Sequence, residues 1–103
     1  MPDIGAGKSA WDVRLSTHAA RDLEHLRKQD PALHGQLLQA LVHLKTEPFP
    51  APPKSKKLRG LNGIFWRLRV GVYRIVYRPI ESNILFILRV IPRRELDRAL
   101  RSL

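Results

Sequence analysis

The sequence predicts an α+β fold: an N-terminal strand, a helical hairpin, a mostly antiparallel twisted sheet of about four strands, and a short C-terminal helix. Three observations predict it. Apolar residues recur at helical spacing between residues 17 and 46. After residue 63 they alternate with polar residues or run continuously, in three blocks. Between these regimes Pro48, Pro50, Pro52 and Pro53 remove backbone donors and fix φ, so neither helix nor central strand crosses residues 47–53.

The elements follow in order. Residues 1–9 read as a flexible N-terminal arm and residues 10–103 as one domain, because 103 residues supply a single core. Trp11 to Leu15 alternates as a short strand with one buried face. Ser16 or Thr17 caps a helix carrying Ala19, Leu23 and Leu26, which ends near Lys28-Gln29. Asp30-Pro31 starts a second helix, with Asp as N-cap and Pro at the first helical position, where a missing N–H costs nothing. Its stripe is Leu33, Leu37, Leu41 and Leu44, and it runs to about Thr46. With only a turn between them, the two helices form a hairpin.

The proline segment is a stiff connector, and Lys54 to Gly63 reads as a basic loop. In Ile64 to Val70, Trp66, Leu68 and Val70 share one face while Phe65, Arg67 and Arg69 share the other. Gly71 marks a tight turn, and Val72 to Arg78 is the returning strand. Pro79 to Asn83 reads as another turn. Ile84 to Ile91 is nearly all apolar, as a central strand covered on both faces requires. Pro92 ends it, and Arg93 to Leu103 forms the short final helix. With the hairpin packed on one face of the sheet, the arginines occupy the opposite face. Trp11, Trp66, Tyr73 and Tyr77 belong to the helix-covered core.

Charge is segregated along the chain. Residues 1–53 carry six Lys or Arg and six Asp or Glu, whereas residues 54–103 carry thirteen against three, so the whole net charge of +10 lies in the second half. Solubility does not need such segregation; a polyanionic partner, nucleic acid or an acidic protein segment, accounts for it. There is no cysteine, which rules out disulfides and thiolate zinc sites. Met1 to Lys8 lacks the apolar core of a signal peptide and no run reaches membrane-span length, so a cytoplasmic protein without a membrane partner is expected.

Familiar catalytic constellations are missing. His18, His25, His34 and His43 all fall in the predicted helices, without zinc-pair spacing, and read as solvated helix-surface residues. Gly5-Ala6-Gly7-Lys8 lacks P-loop spacing. Neither a metal site nor a cofactor is predicted. The remaining chemistry is that of arginine. Arg67 and Arg69 project from one strand face, and Arg74 and Arg78 from its neighbour, so like charges meet across the hairpin. A guanidinium donates bidentate hydrogen bonds to phosphate and stabilises the dianionic phosphorane of phosphodiester cleavage. The candidate catalytic set is Arg67, Arg69, Arg74 and Arg93. The candidate RNA-binding set is Lys54, Lys56, Lys57, Arg59, Phe65, Arg78 and Arg94, with Phe65 as a base-stacking ring.

The residues that carry a family likeness are Trp11 to Leu23, the Leu-rich second helix, Lys57-Leu58-Arg59-Gly60 and, above all, Arg67-Leu68-Arg69-Val70-Gly71-Val72-Tyr73-Arg74-Ile75-Val76-Tyr77. From about residue 11 to 98 the chain resembles the RelE/ParE superfamily, the toxins of type II toxin–antitoxin modules. The resemblance implies a cytoplasmic toxin with a cognate antitoxin as partner. For a RelE-like member it implies a metal-independent, ribosome-dependent mRNA endoribonuclease (an mRNA interferase) that inhibits translation and arrests growth. Arg74 and Arg93 would then lie closest to the phosphate. Many active RelE-type members carry a tyrosine after the last-strand arginine; Arg94 to Leu103 contains none, so the resemblance assigns no proton acceptor. ParE-like members, which poison DNA gyrase without nuclease activity, are the alternative.

Overall fold

The computed structural model describes residues 10–60 and 63–103; the expected arm at residues 1–9 lies outside them. The described residues form β1 (Asp12–Leu15), α1 (Thr17–Gln29), α2 (Pro31–Leu44), β2 (Ser55–Gly60), β3 (Gly63–Val70), β4 (Tyr73–Glu81), β5 (Ile84–Pro92), a 3₁₀ turn (Arg93–Glu95) and α3 (Leu96–Arg101). The strands make one five-stranded sheet in the order β1-β5-β4-β3-β2. All neighbours are antiparallel except β1 and β5, which pair in parallel.

Both caps expected at the hairpin form. The Ser16 hydroxyl accepts from the Ala19 N–H at 3.0 Å, and Asp30 accepts from the Leu33 N–H at 3.1 Å. Ala19, Leu23 and Leu26 of α1 and Leu37, Leu41 and Leu44 of α2 are buried against Leu68, Ile75, Tyr77, Leu85, Ile87 and Val90. The Ser16 hydroxyl also donates to the Leu88 carbonyl at 2.9 Å, and Asp22 accepts from both the Arg89 guanidinium at 2.8 Å and the Val90 N–H at 2.9 Å. These bonds fasten α1 to β5. Among the described residues, no helix is long and apolar enough to cross a membrane.

Three expectations change. The basic loop contains β2, an edge strand pairing Ser55 with Leu68 through to Gly60 with Gly63; its charged residues hid it, and charge is what protects an exposed edge. The turn expected from Pro79 is shorter, because β4 runs on to Glu81. Proline is tolerated there because its β3 ladder ends at Tyr77 and the β5 ladder shifts register between Pro79 and Glu81. The face opposite the hairpin is not an open arginine surface. Phe65, Val76, Ile91 and Ala99 are buried outside the helical core cluster, where α3 lies over the sheet.

Gly60 makes that second packing possible. A Cβ at this position would stand about 2.5 Å from the Phe65 ring and 3.5 Å from the Leu100 carbonyl oxygen. Gly60→Ala is therefore expected to cost about 1–3 kcal/mol through overpacking, read as a lower urea midpoint with an unchanged slope.

Candidate phosphate-binding cleft

The two-residue turn between β3 and β4 organises the site. Val70 pairs with Tyr73, leaving Gly71 and Val72 to reverse the chain, and Gly71 takes the positive φ of +58° that disfavours a side chain. Arg74, the second residue of β4, turns back on this turn. Its Nη1 donates to the Gly71 carbonyl at 3.0 Å and to the Tyr73 carbonyl at 2.8 Å. From the other side, the Arg93 N–H donates to the Val72 carbonyl at 2.8 Å, which pins the 3₁₀ turn beside the hairpin.

Arg69 and Arg74 are direct cross-strand partners, and Arg67 lies two residues from Arg69 on the same face. All four arginines expected to be catalytic, Arg67, Arg69, Arg74 and Arg93, therefore line one hollow of about 430 Å³. It opens into a larger cleft of about 640 Å³, which shares Arg67, Arg74 and Arg93 and adds Lys56, Arg94 and Asp97. Leu58, Val72, Pro92 and Leu96 supply the apolar part of its wall.

The four differ in exposure. Arg69 and Arg93 are open to solvent, Arg67 is half-buried, and Arg74 is only 7% exposed. Burial, followed by the charges of Arg67, Arg93 and Arg69, lowers the pKa of Arg74. Burial, then Arg69 and Arg93, does the same to Arg67. Both remain cationic, since arginine is not deprotonated in proteins. Arg67 is held in place from the connector, because its Nη1 donates to the carbonyls of Pro53 at 2.9 Å and Lys54 at 3.3 Å. Among the described residues none of the four forms an ion pair. Mutually repelling cations without acidic partners are what an incoming anion relieves.

The other expected RNA-binding residues scatter. Lys56, directly opposite Arg67, and Arg94 join the cleft. Arg59 lines a neighbouring hollow with Arg101. Lys54 lies in a separate groove between α2 and β3, with Gln39, His43 and Glu47. Lys57 stands 5.6 Å over the Trp66 ring. Phe65 is corrected outright: it is 2% exposed, its ring lies under the Arg78 guanidinium at 5.2 Å, and it packs as core instead of offering a face to a base. Arg78 is thereby engaged away from the cleft.

Two residues escaped sequence reasoning. Asp97 is the one acid lining the cleft among the described residues; its signal was present only as a lone carboxylate four residues after Arg93. Phe49, inside the proline connector, packs against Trp11 at 5.9 Å, Trp66 at 4.7 Å and Tyr77 at 6.4 Å between ring centroids. It holds the connector that positions Arg67. Among the described residues no cluster of three or more His, Asp or Glu could hold a metal ion.

Comparison with known proteins identifies the family and the fold. Residues 13–97 match the family model described as ParE toxin of type II toxin–antitoxin system, parDE. No curated protein sequence matches the chain significantly. Among solved structures, the YoeB/ParE toxin from Agrobacterium tumefaciens is similar at a TM-score of 0.67 and 19% identity, covering 79% of this chain and 96% of that one. The toxin–antitoxin complex RelBE2 from Mycobacterium tuberculosis is similar at 0.66 and 29% identity, covering 81% and 98%. The YoeB–YefM complex from Staphylococcus aureus is similar at 0.63 and 16% identity, covering 79% and 94%. A strand, a helical hairpin and an arginine-lined hairpin turn in this order, with the family match over residues 13–97, place the chain in the RelE/ParE superfamily of type II toxin–antitoxin toxins.

Proposed function

We propose that this toxin is a metal-independent endoribonuclease that cleaves mRNA on the ribosome. The observation that carries this reading is the convergence of Arg67, Arg69, Arg74 and Arg93 on one hollow without acidic partners. In the reaction, the ribose O2′ attacks the adjacent phosphorus and the P–O5′ bond breaks, leaving a 2′,3′-cyclic phosphate and a 5′-hydroxyl. The O2′ proton passes to a base, and the departing O5′ takes one up. Arg69 and Arg93, being exposed, grip the non-bridging oxygens, and Arg67 and Arg74 supply fixed positive charge behind them. None of the four serves as the base, since a guanidinium offers donors and no acceptor. That role falls to a group outside the arginine set, from the chain or from the ribosome. Resemblance to a toxin bound by its antitoxin supports a cognate antitoxin whose acidic segment covers the cleft.

A second reading, inhibition of DNA gyrase without nuclease activity, draws on two observations: the match to the ParE toxin family, and the lack of any tyrosine or histidine lining the cleft among the described residues. Brief induction followed by mapping of transcript 5′ ends separates the two. Codon-phased cuts within translated regions are expected. Intact transcripts accompanied by gyrase-linked DNA breaks would replace this reading with the second.

A further inference from the structure

Three acids follow residue 54, and they have different surroundings. Glu81 ends β4 and lies outside the arginine cleft. Glu95 is taken by Arg98 at 3.5 Å. Asp97 lines the cleft with Lys56, Arg67, Arg74, Arg93 and Arg94, yet its exposed side chain forms no ion pair or hydrogen bond among the described residues. Its oxygens stand more than 4.0 Å from every Lys, Arg and His nitrogen of those residues. Leu96 lines both the cleft and the smaller hollow that holds all four arginines, whereas Asp97 lines only the cleft of these two. The carboxylate therefore stands at the rim of the arginine set and not inside it.

We propose that Asp97 is the proton acceptor of the cleavage, taking the proton of the ribose O2′ as that oxygen attacks. This rests on the reading of the cleft as a nuclease site. The choice follows from the acceptors at hand. Guanidinium and ammonium groups offer donors only. The backbone carbonyls of Gly71 and Val72 already accept from the Arg74 guanidinium and the Arg93 N–H. Among the described residues lining the cleft, Asp97 is the one side chain with an acceptor. Its separation from the cations matters too. A carboxylate bonded to the arginines would occupy the place of the phosphate, whereas a free one at the rim can meet the ribose beside it. As the O2′–P bond forms, the O2′ proton passes to a carboxylate oxygen of Asp97. As the P–O5′ bond breaks, O5′ takes a proton from water, and the hydroxide so formed takes the proton back from Asp97.

The test is single-turnover cleavage of a short mRNA bound on ribosomes, with saturating toxin. Binding is measured beside it on the same complex carrying a 2′-O-methyl group at the cut site, which has no O2′ proton to give. Asp97→Asn is expected to lower the cleavage rate by about 100- to 10,000-fold, the usual range for a lost general base. It should bind the blocked complex no more weakly than wild type, because it loses only a negative charge. Asp97→Ala should be equally slow, and formate, a small carboxylate that fits the space left, should restore part of its rate without helping Asp97→Asn. An Asp97→Asn protein that cuts at the wild-type rate overturns Asp97 as the base and leaves the nuclease reading standing. So does a rate loss explained by weaker binding, or one in Asp97→Ala that formate does not relieve. A wild type that leaves ribosome-bound mRNA whole overturns both.

Discussion

Arg93→Ala is expected to abolish growth arrest and lower the single-turnover cleavage rate by about 100- to 1000-fold, the usual loss when one preorganised donor to a developing oxyanion is removed. Its melting temperature stays within about 2 °C of wild type, because the side chain is exposed and only its backbone N–H is bonded to Val72. Arg74→Ala is expected to show a similar loss of activity with a lower melting temperature. Its guanidinium is 7% exposed and braces the carbonyls of Gly71 and Tyr73. The pair of variants separates charge at the phosphate from support of the turn. A well-folded Arg93→Ala protein of full toxicity would remove the cleft from the mechanism.

The largest stability effect is expected at Tyr77. The side chain is fully buried, its hydroxyl donates to the Pro48 carbonyl at 2.6 Å and lies 3.2 Å from the Ser55 hydroxyl, and its ring packs on Phe49. Burial pushes its pKa up, so the phenol stays neutral and keeps its donor. Tyr77→Ala removes a large core ring and costs about 3–5 kcal/mol, a large share of the ~5–15 kcal/mol that holds a domain folded. Tyr77→Phe keeps the ring and leaves the Pro48 carbonyl without its partner, for about 1–3 kcal/mol. Urea denaturation of both variants divides the total between packing and hydrogen bonding. Equal costs for the two would locate the whole effect in the connector's anchorage.

Much of this arrangement is legible in the residues themselves. Alternation in Ile64 to Val70 assigned Trp66 and Leu68 to the helical side and Arg67 and Arg69 to the other, and the pairing of Arg69 with Arg74 follows from the two-residue turn at Gly71. The caps at Ser16 and Asp30 were equally readable. What local pattern did not reveal depends on distant partners. Ser55 to Gly60 carries too few apolar residues to look like a strand, and only β3 beside it makes it one. Phe65 obeys the alternation that places it with the arginines, yet it is buried, with Gly60 of β2 close beside its ring and Arg78 of β4 over it. Phe49 sits among prolines, where no periodicity marks a packed ring. The cleft itself joins β2, β3, β4 and the segment after β5, and sequence spacing carries no distance between them.

The parallel pairing of β1 with β5 has a kinetic meaning. Asp12 pairs with Ile84, and the Ser16 hydroxyl reaches the Leu88 carbonyl across 72 positions. Closing so long a loop is slow relative to local hairpins and helices. During synthesis the first strand waits for β5 to emerge before its edge is paired, and Arg93, which completes the hollow, follows β5 in the chain. The arginine hollow is therefore complete only once nearly the whole sheet has been translated.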